Sequence, residues 1–131
     1  MPTLVSPSSP NPRRLRVLIV DDTPQVRQEL SQLLPLIGEL EVVGEAANGA
    51  EAIAQAETLR PDVVVMDLEM PVMDGYEAAR QITTRWPTCR VIALTVHDGE
   101  AEQHRAARAG VDVFIVKGAP VAALVQAICQ R

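Results

Sequence analysis

Val63-Val64-Val65-Met66-Asp67, running on as Leu68-Glu69-Met70-Pro71, sets the architecture expected of this 131-residue chain. Three valines and a methionine in succession leave the segment no polar side, as in a strand covered on both faces of a parallel sheet. The apolar run then stops on an acid. A carboxylate ending a buried strand is costly unless it is partnered or opens into a crevice, so Asp67 needs a reason. Capping of the following turn is the ordinary one. What the rest of the chain brings to the same edge argues for another.

Working outward, the pattern repeats. Arg16-Val17-Leu18-Ile19-Val20 is a short apolar strand that also ends on acid, Asp21-Asp22. Thr23-Pro24 supplies an N-cap and a proline at the first helical position. Val26, Leu30, Leu33, Leu34 and Ile37 give that helix one apolar face, and Gly38 closes it. Glu41-Val42-Val43-Gly44-Glu45-Ala46-Ala47 is a more polar strand, suited to a sheet edge. Asn48-Gly49-Ala50-Glu51 has the spacing of a capping box and opens a helix running to Leu59, which Arg60-Pro61 ends. On the other side, Asp74-Gly75-Tyr76-Glu77 repeats the capping-box pattern for a helix to Trp86, stopped by Pro87. Cys89-Arg90-Val91-Ile92-Ala93-Leu94-Thr95 is a fourth strand, ending on a hydroxyl. His97-Asp98-Gly99 turns into a helix from Glu100 to Ala109 whose apolar face is built of alanine, so it buries little and is the least firmly held. Val113-Phe114-Ile115-Val116-Lys117 is the fifth strand. After Ala119-Pro120 comes a last helix with Val121, Leu124, Val125 and Ile128 inward.

Strand alternating with helix, five times and with short loops, implies a doubly wound parallel sheet with helices on both faces. Strand order 2-1-3-4-5, the flavodoxin-like order, follows from the polar second strand, with the switch point between strands 1 and 3. Residues 1–14, with four prolines and three serines, read as a disordered tail, and residues 15–131 as one domain.

In such a sheet the carboxyl ends of the strands share one edge. This places Asp21, Asp22, Asp67, Thr95 and Lys117 together. Each has an ordinary explanation alone, as a cap or a solvated strand end; four strands aiming polar groups at one edge do not. Crowded carboxylates raise one another's pKa unless a cation sits among them. An oxygen-only site of this size suits Mg2+. With a lysine and a hydroxyl opposite, it would cradle a phosphoryl group. Asp67, at the centre, is the candidate to accept that group as an aspartyl phosphate. Lys117 is also the one lysine against eleven arginines, a position where a compact point charge was kept.

These residues resemble the receiver domain of bacterial two-component response regulators. The resemblance is carried by Val20-Asp21-Asp22-Thr23-Pro24, by Val42-Val43-Gly44-Glu45-Ala46 with Asn48-Gly49, by Pro61 through Gly75, and by Leu94-Thr95, Ala109-Gly110 and Phe114-Ile115-Val116-Lys117. It is closest to the subfamily with helix-turn-helix output. It implies that Asp67 takes a phosphoryl group from a sensor histidine kinase. It further implies that Asp22 and Asp67 ligate Mg2+, with Asp21 acting through water and the Glu69 main-chain carbonyl completing the set. Lys117 would pair with the phosphoryl oxygens, while Thr95 and Phe114 move as the switch. Such a domain is no enzyme in the usual sense, promoting only its own phosphorylation and autodephosphorylation. It would act on an output domain or partner protein, controlling transcription through it, or form a homodimer. Gly118 stands where the family often has a proline after the lysine, so the loop after strand 5 is open to a different course. Glu69, Val96 and His97 flank the site; the acidic Glu69 and the branched Val96 are expected to tune phosphate lifetime, and His97 reads as a solvated loop histidine rather than a metal ligand.

Composition narrows the alternatives. A net charge of −5 argues against direct nucleic-acid binding by this domain. No apolar run approaches membrane-spanning length and no signal-peptide core is present, so a cytoplasmic protein is expected. Cys89 and Cys129, without metal-binding spacing, read as small buried hydrophobes. A haloacid-dehalogenase-like Mg2+-dependent phosphatase is the rival from another class. It would need DxD early and its acidic pair late, whereas here the pair comes first and the triplet Asp67-Leu68-Glu69 has Glu, not Asp, as its third residue. A stand-alone receiver acting only through protein contacts is the other.

Overall fold

The computed structural model describes residues 14–70 and 72–130. The tail expected over residues 1–14 therefore lies outside them except for Arg14, as do Pro71 and Arg131. Strands β1 (Leu15–Val20), β2 (Leu40–Ala46), β3 (Val63–Asp67), β4 (Arg90–Thr95) and β5 (Val113–Val116) alternate with helices α1 (Pro24–Ile37), α2 (Gly49–Leu59), α3 (Gly75–Arg85), α4 (Glu100–Arg108) and α5 (Val121–Cys129). The strands are parallel, in the order β2-β1-β3-β4-β5 expected from the sequence.

The two faces of the sheet bury alternate residues of each strand, as a pleated strand requires. Val17, Ile19, Val63, Val65 and Ile92 pack under α1 and α5 through Leu34, Leu124, Val125 and Ile128. Leu18, Val20, Val64, Met66 and Val91 pack on the other face against Ala52 and Ala56 of α2 and Ala78, Ala79 and Ile82 of α3. Every residue of β3 is buried, so the central strand is covered on both sides. α4 buries Ala106. It is held instead by Arg105, whose guanidinium lies 4.0 Å from the Tyr76 ring centre and 3.3 Å from Asp74 Oδ2.

Register decides what reaches the carboxyl edge. Val20 pairs with Met66, so Asp21 and Asp67, the next residue in each chain direction, emerge side by side. Thr95 pairs with Val116, and the Lys117 N–H donates to the Thr95 carbonyl at 2.7 Å. Four strands thus deliver their polar ends to one place.

Three local expectations are corrected. Thr23 precedes α1 but its side chain makes no cap bond, while its N–H donates to Asp21 Oδ1 at 2.9 Å. Asn48 and Asp74 do cap α2 and α3, accepting from the N–H groups of Glu51 and Glu77. Glu51 reaches back to the Ala47 N–H, but Glu77 turns to Arg80 and Gln81, because a charged partner one turn on competes for it. Cys89 is buried, yet Cys129 is exposed. Its neighbour across the helix pair is Gly38, which has no side chain to cover it.

Candidate functional site

Asp21, Asp22 and Asp67 each offer a carboxylate oxygen, and these lie within 4.8 Å of one another. Asp21 and Asp67 are buried, Asp22 is exposed. Lys117 Nζ reaches over them, 3.0 Å from Asp67 Oδ2 and 3.4 Å from Asp21 Oδ2. The other oxygen of each buried carboxylate folds onto its own loop: Asp21 Oδ1 accepts the Thr23 N–H and Asp67 Oδ1 the Glu69 N–H, both at 2.9 Å. These are Asx turns, a local geometry that Asp supplies readily. One oxygen orients the loop and the other faces the cation.

The β3–α3 loop is drawn tightly against the strand end. Gly75 N–H donates to the Leu68 carbonyl at 3.0 Å, and Gly49 N–H to the Met73 carbonyl at 3.2 Å. A Cβ on Gly75 would fall 2.5 Å from the Asp67 carbonyl oxygen and 2.6 Å from Leu68 Cα. Glycine is needed there for close approach. Within the loop Val72 takes φ 72°, a rare conformation for a β-branched residue, and it is exposed. After β5, Gly118 has φ 101° and the Ala119 N–H donates to the Val116 carbonyl at 3.1 Å. This is the type II pattern, with glycine at the position that needs positive φ. It is the course the loop takes without a proline after Lys117.

Charge at the site is unbalanced. Burial pushes the Asp67 carboxyl above its ordinary value, although the Glu69 N–H and Lys117 pull it down. Burial also works against the Lys117 ammonium, but its hydrogen bond to Asp67 and the charges of Asp67 and Asp21 prevail and raise its pKa. The two shifts describe one pair: the lysine, about one-third exposed, gains from it, whereas the buried carboxylate carries the desolvation. One ammonium faces three carboxylates, and an oxygen donor set left with excess negative charge fits a small divalent cation.

Thr95 is fully buried, and its hydroxyl is engaged by a residue that sequence reasoning placed beside the site but did not connect to it. Oγ1 donates to the Glu69 carboxylate, 2.8 Å from Oε2 and 3.0 Å from Oε1, and accepts the His97 N–H at 3.0 Å. His97 itself is exposed, with Nε2 3.9 Å from Glu69 Oε2. Phe114 is partly buried and packs on the cluster of Leu68, Tyr76, Ala93 and Ala106. Arg27 was also missed. Its guanidinium donates to the Asp21 main-chain carbonyl at 2.6 Å and meets Glu45 at 3.4 Å, bracing the first acidic loop. No sequence signal marks it beyond its place on the first turn after Thr23.

The sequence model of the response regulator receiver domain matches residues 17–129 of this chain. The chain belongs to that family. The receiver is 47% identical over 103 residues to the response regulator protein VraR of Staphylococcus aureus, covering 79% of this chain and 49% of VraR. Among solved structures, it superposes with TM-score 0.82 and 30% identity on a LuxR-family DNA-binding response regulator from Staphylococcus aureus, covering 87% of this chain and 95% of that one. It also superposes with TM-score 0.79 and 29% identity on a CheX–CheY–BeF3–Mg complex from Borrelia burgdorferi, covering 86% of this chain and 84% of that one. The receiver spans about half the length of the curated relatives it matches. It is a signalling domain of the two-component kind, with DNA-binding regulators among its relatives. No helix among the described residues is long and apolar enough to cross a membrane.

Proposed function

We propose that this receiver takes a phosphoryl group from the phosphohistidine of a sensor histidine kinase onto Asp67. The observation that carries the reading is the pairing of Lys117 Nζ with Asp67 Oδ2 at 3.0 Å inside a cluster of three carboxylates, two of them buried. An Asp67 oxygen forms the new bond to phosphorus as the phosphorus–nitrogen bond breaks and its electron pair leaves with the imidazole. Lys117, which now pairs with Asp67 and Asp21, would neutralise charge on the phosphoryl oxygens. The buried walls keep these charges poorly screened, so each contact is worth more than in water.

Asp22 and Asp67, with Asp21 through water and the Glu69 main-chain carbonyl, would hold Mg2+. The ion would neutralise the acidic cluster and the incoming phosphoryl oxygens. The domain also promotes loss of its own phosphate. Phosphorylation draws the Thr95 hydroxyl toward the site, and Phe114 follows into the space behind it. α4, held by an alanine and a polar latch rather than by a broad apolar face, is the element whose position this biases. The signal passes to an attached output domain or a partner protein that controls transcription, through α4, β5 and α5 or through a homodimer on α1 and α5. The receiver itself does not touch DNA, and acts in the cytoplasm.

The test is incubation with Mg2+ and a small-molecule phosphodonor, with wild type beside Asp67→Ala. Intact mass should rise by one phosphoryl group in wild type only. Equal labelling of the variant would sink the assignment.

A further inference from the structure

The Thr95 hydroxyl has one proton to donate, and Glu69 holds it. A hydroxyl is a single donor, so its bond to the Glu69 carboxylate at 2.8 Å excludes a bond to any oxyanion on Asp67. Because the acceptor is charged, this bond is roughly twice as strong as a neutral one. The two partners differ in freedom. Thr95 has no exposed surface, whereas the Glu69 side chain is 39% exposed and can swing into water without unpacking a neighbour. Glu69 is also coupled directly to the acceptor, since its N–H is the one that Asp67 Oδ1 accepts at 2.9 Å.

We propose that the Glu69 carboxylate is a competitive latch. It occupies the Thr95 donor in the resting domain and has to release it before Thr95 can engage a phosphoryl group. The inference rests on the phosphoacceptor reading of Asp67 and adds to it a threshold. The resting state is stabilised by a bond that the active state must break, so the population that switches without phosphate is reduced and the phosphoryl group spends part of its interaction energy on displacement. A neutral residue at position 69 lowers that threshold.

Four proteins test it: wild type, Glu69→Gln, Thr95→Val and the double variant, each titrated with BeF3− in the presence of Mg2+ and followed by NMR. With Thr95 intact, Glu69→Gln should tighten BeF3− binding about fivefold, the difference between a charge-assisted and a neutral hydrogen bond. In the Thr95→Val background the gain should fall below about twofold. Equal tightening in both backgrounds would mean that Glu69 acts only as a repelling charge, and would overturn the latch. Urea unfolding of the same proteins in EDTA gives a readout free of metal and phosphoryl group. The two substitutions should be non-additive by about fivefold in the unfolding constant; additivity would overturn the latch while leaving the phosphoacceptor reading in place. Failure of wild type to bind BeF3− would instead overturn that reading, and the competition with it.

Discussion

Gly75 is the first residue of α3, and replacing a helical glycine by alanine ordinarily improves a helix, by up to about 0.5–1 kcal/mol in its interior. Here Gly75→Ala should do the reverse. The new Cβ would stand 2.5 Å from the Asp67 carbonyl oxygen and 2.6 Å from Leu68 Cα, and both neighbours are backbone atoms of a buried strand end. Ordinary van der Waals separation requires a retreat of about 1 Å. Overpacking of this kind costs about 1–3 kcal/mol. The retreat also strains the hydrogen bond from Gly75 to the Leu68 carbonyl, a further ~1 kcal/mol. Set against the gain in helix propensity, the net loss is about 2 kcal/mol, or roughly 8 °C in Tm. Because the displaced atoms include the Asp67 carbonyl, Mg2+ affinity should fall as well. Gly118→Ala is the control: its Cβ meets nothing within 4 Å, so its cost, about 1 kcal/mol, comes from the φ of 101° alone. Thermal and urea unfolding without metal, with Mg2+ titration alongside, measure both variants. A Gly75→Ala protein as stable as wild type would refute the claim that close approach of this glycine holds the loop on Asp67.

Other outcomes follow from the same geometry. In metal-free protein, Asp67→Asn should be more stable than wild type at pH 7. The folded pKa of Asp67 lies above its value of 3.8 in the open chain, so its contribution is complete below 3.8 and is lost as pH rises through the folded pKa. The difference between variant and wild type should therefore open above pH 3.8, and an unchanged difference across that range in urea unfolding would refute it. Lys117→Arg keeps the charge but replaces a point donor with a wider fork, and should weaken BeF3− binding on the order of tenfold; wild-type affinity in a titration would contradict the point-charge argument. At pH 8 a thiol reagent should label Cys129 and spare Cys89, whose thiol burial pushes up to about 12. Mass analysis of the folded protein should show one adduct, with two in urea.

The strand ends were legible because an apolar run that stops on an acid is a local pattern. Asp67 after Val63–Met66 and Asp21 after Leu15–Val20 needed only the sheet order to meet, and that order came from alternation and from the polarity of β2. The bond between Glu69 and Thr95 was not legible, because it joins two side chains 26 residues apart through the course of a loop. That course depends on Gly75 packing against backbone, a contact that composition and periodicity do not encode. Glu77 misled because it had the residue type of a capping box but a stronger local partner, Arg80, was present; Thr23 has the residue type of a cap yet makes no side-chain cap bond. Cys129 fell on the inward stripe of α5, but the element opposite ends there in a glycine.

The most direct test of the account is to locate the phosphoryl group. After reaction with a small-molecule phosphodonor and Mg2+, reduction with borohydride converts an acyl phosphate to the alcohol, which fixes the position of the label for peptide mass spectrometry. Asp67 should be converted, and no other carboxylate. Conversion at Asp21, Asp22 or Glu69 with Asp67 intact, or a stable phosphate on His97, would contradict it.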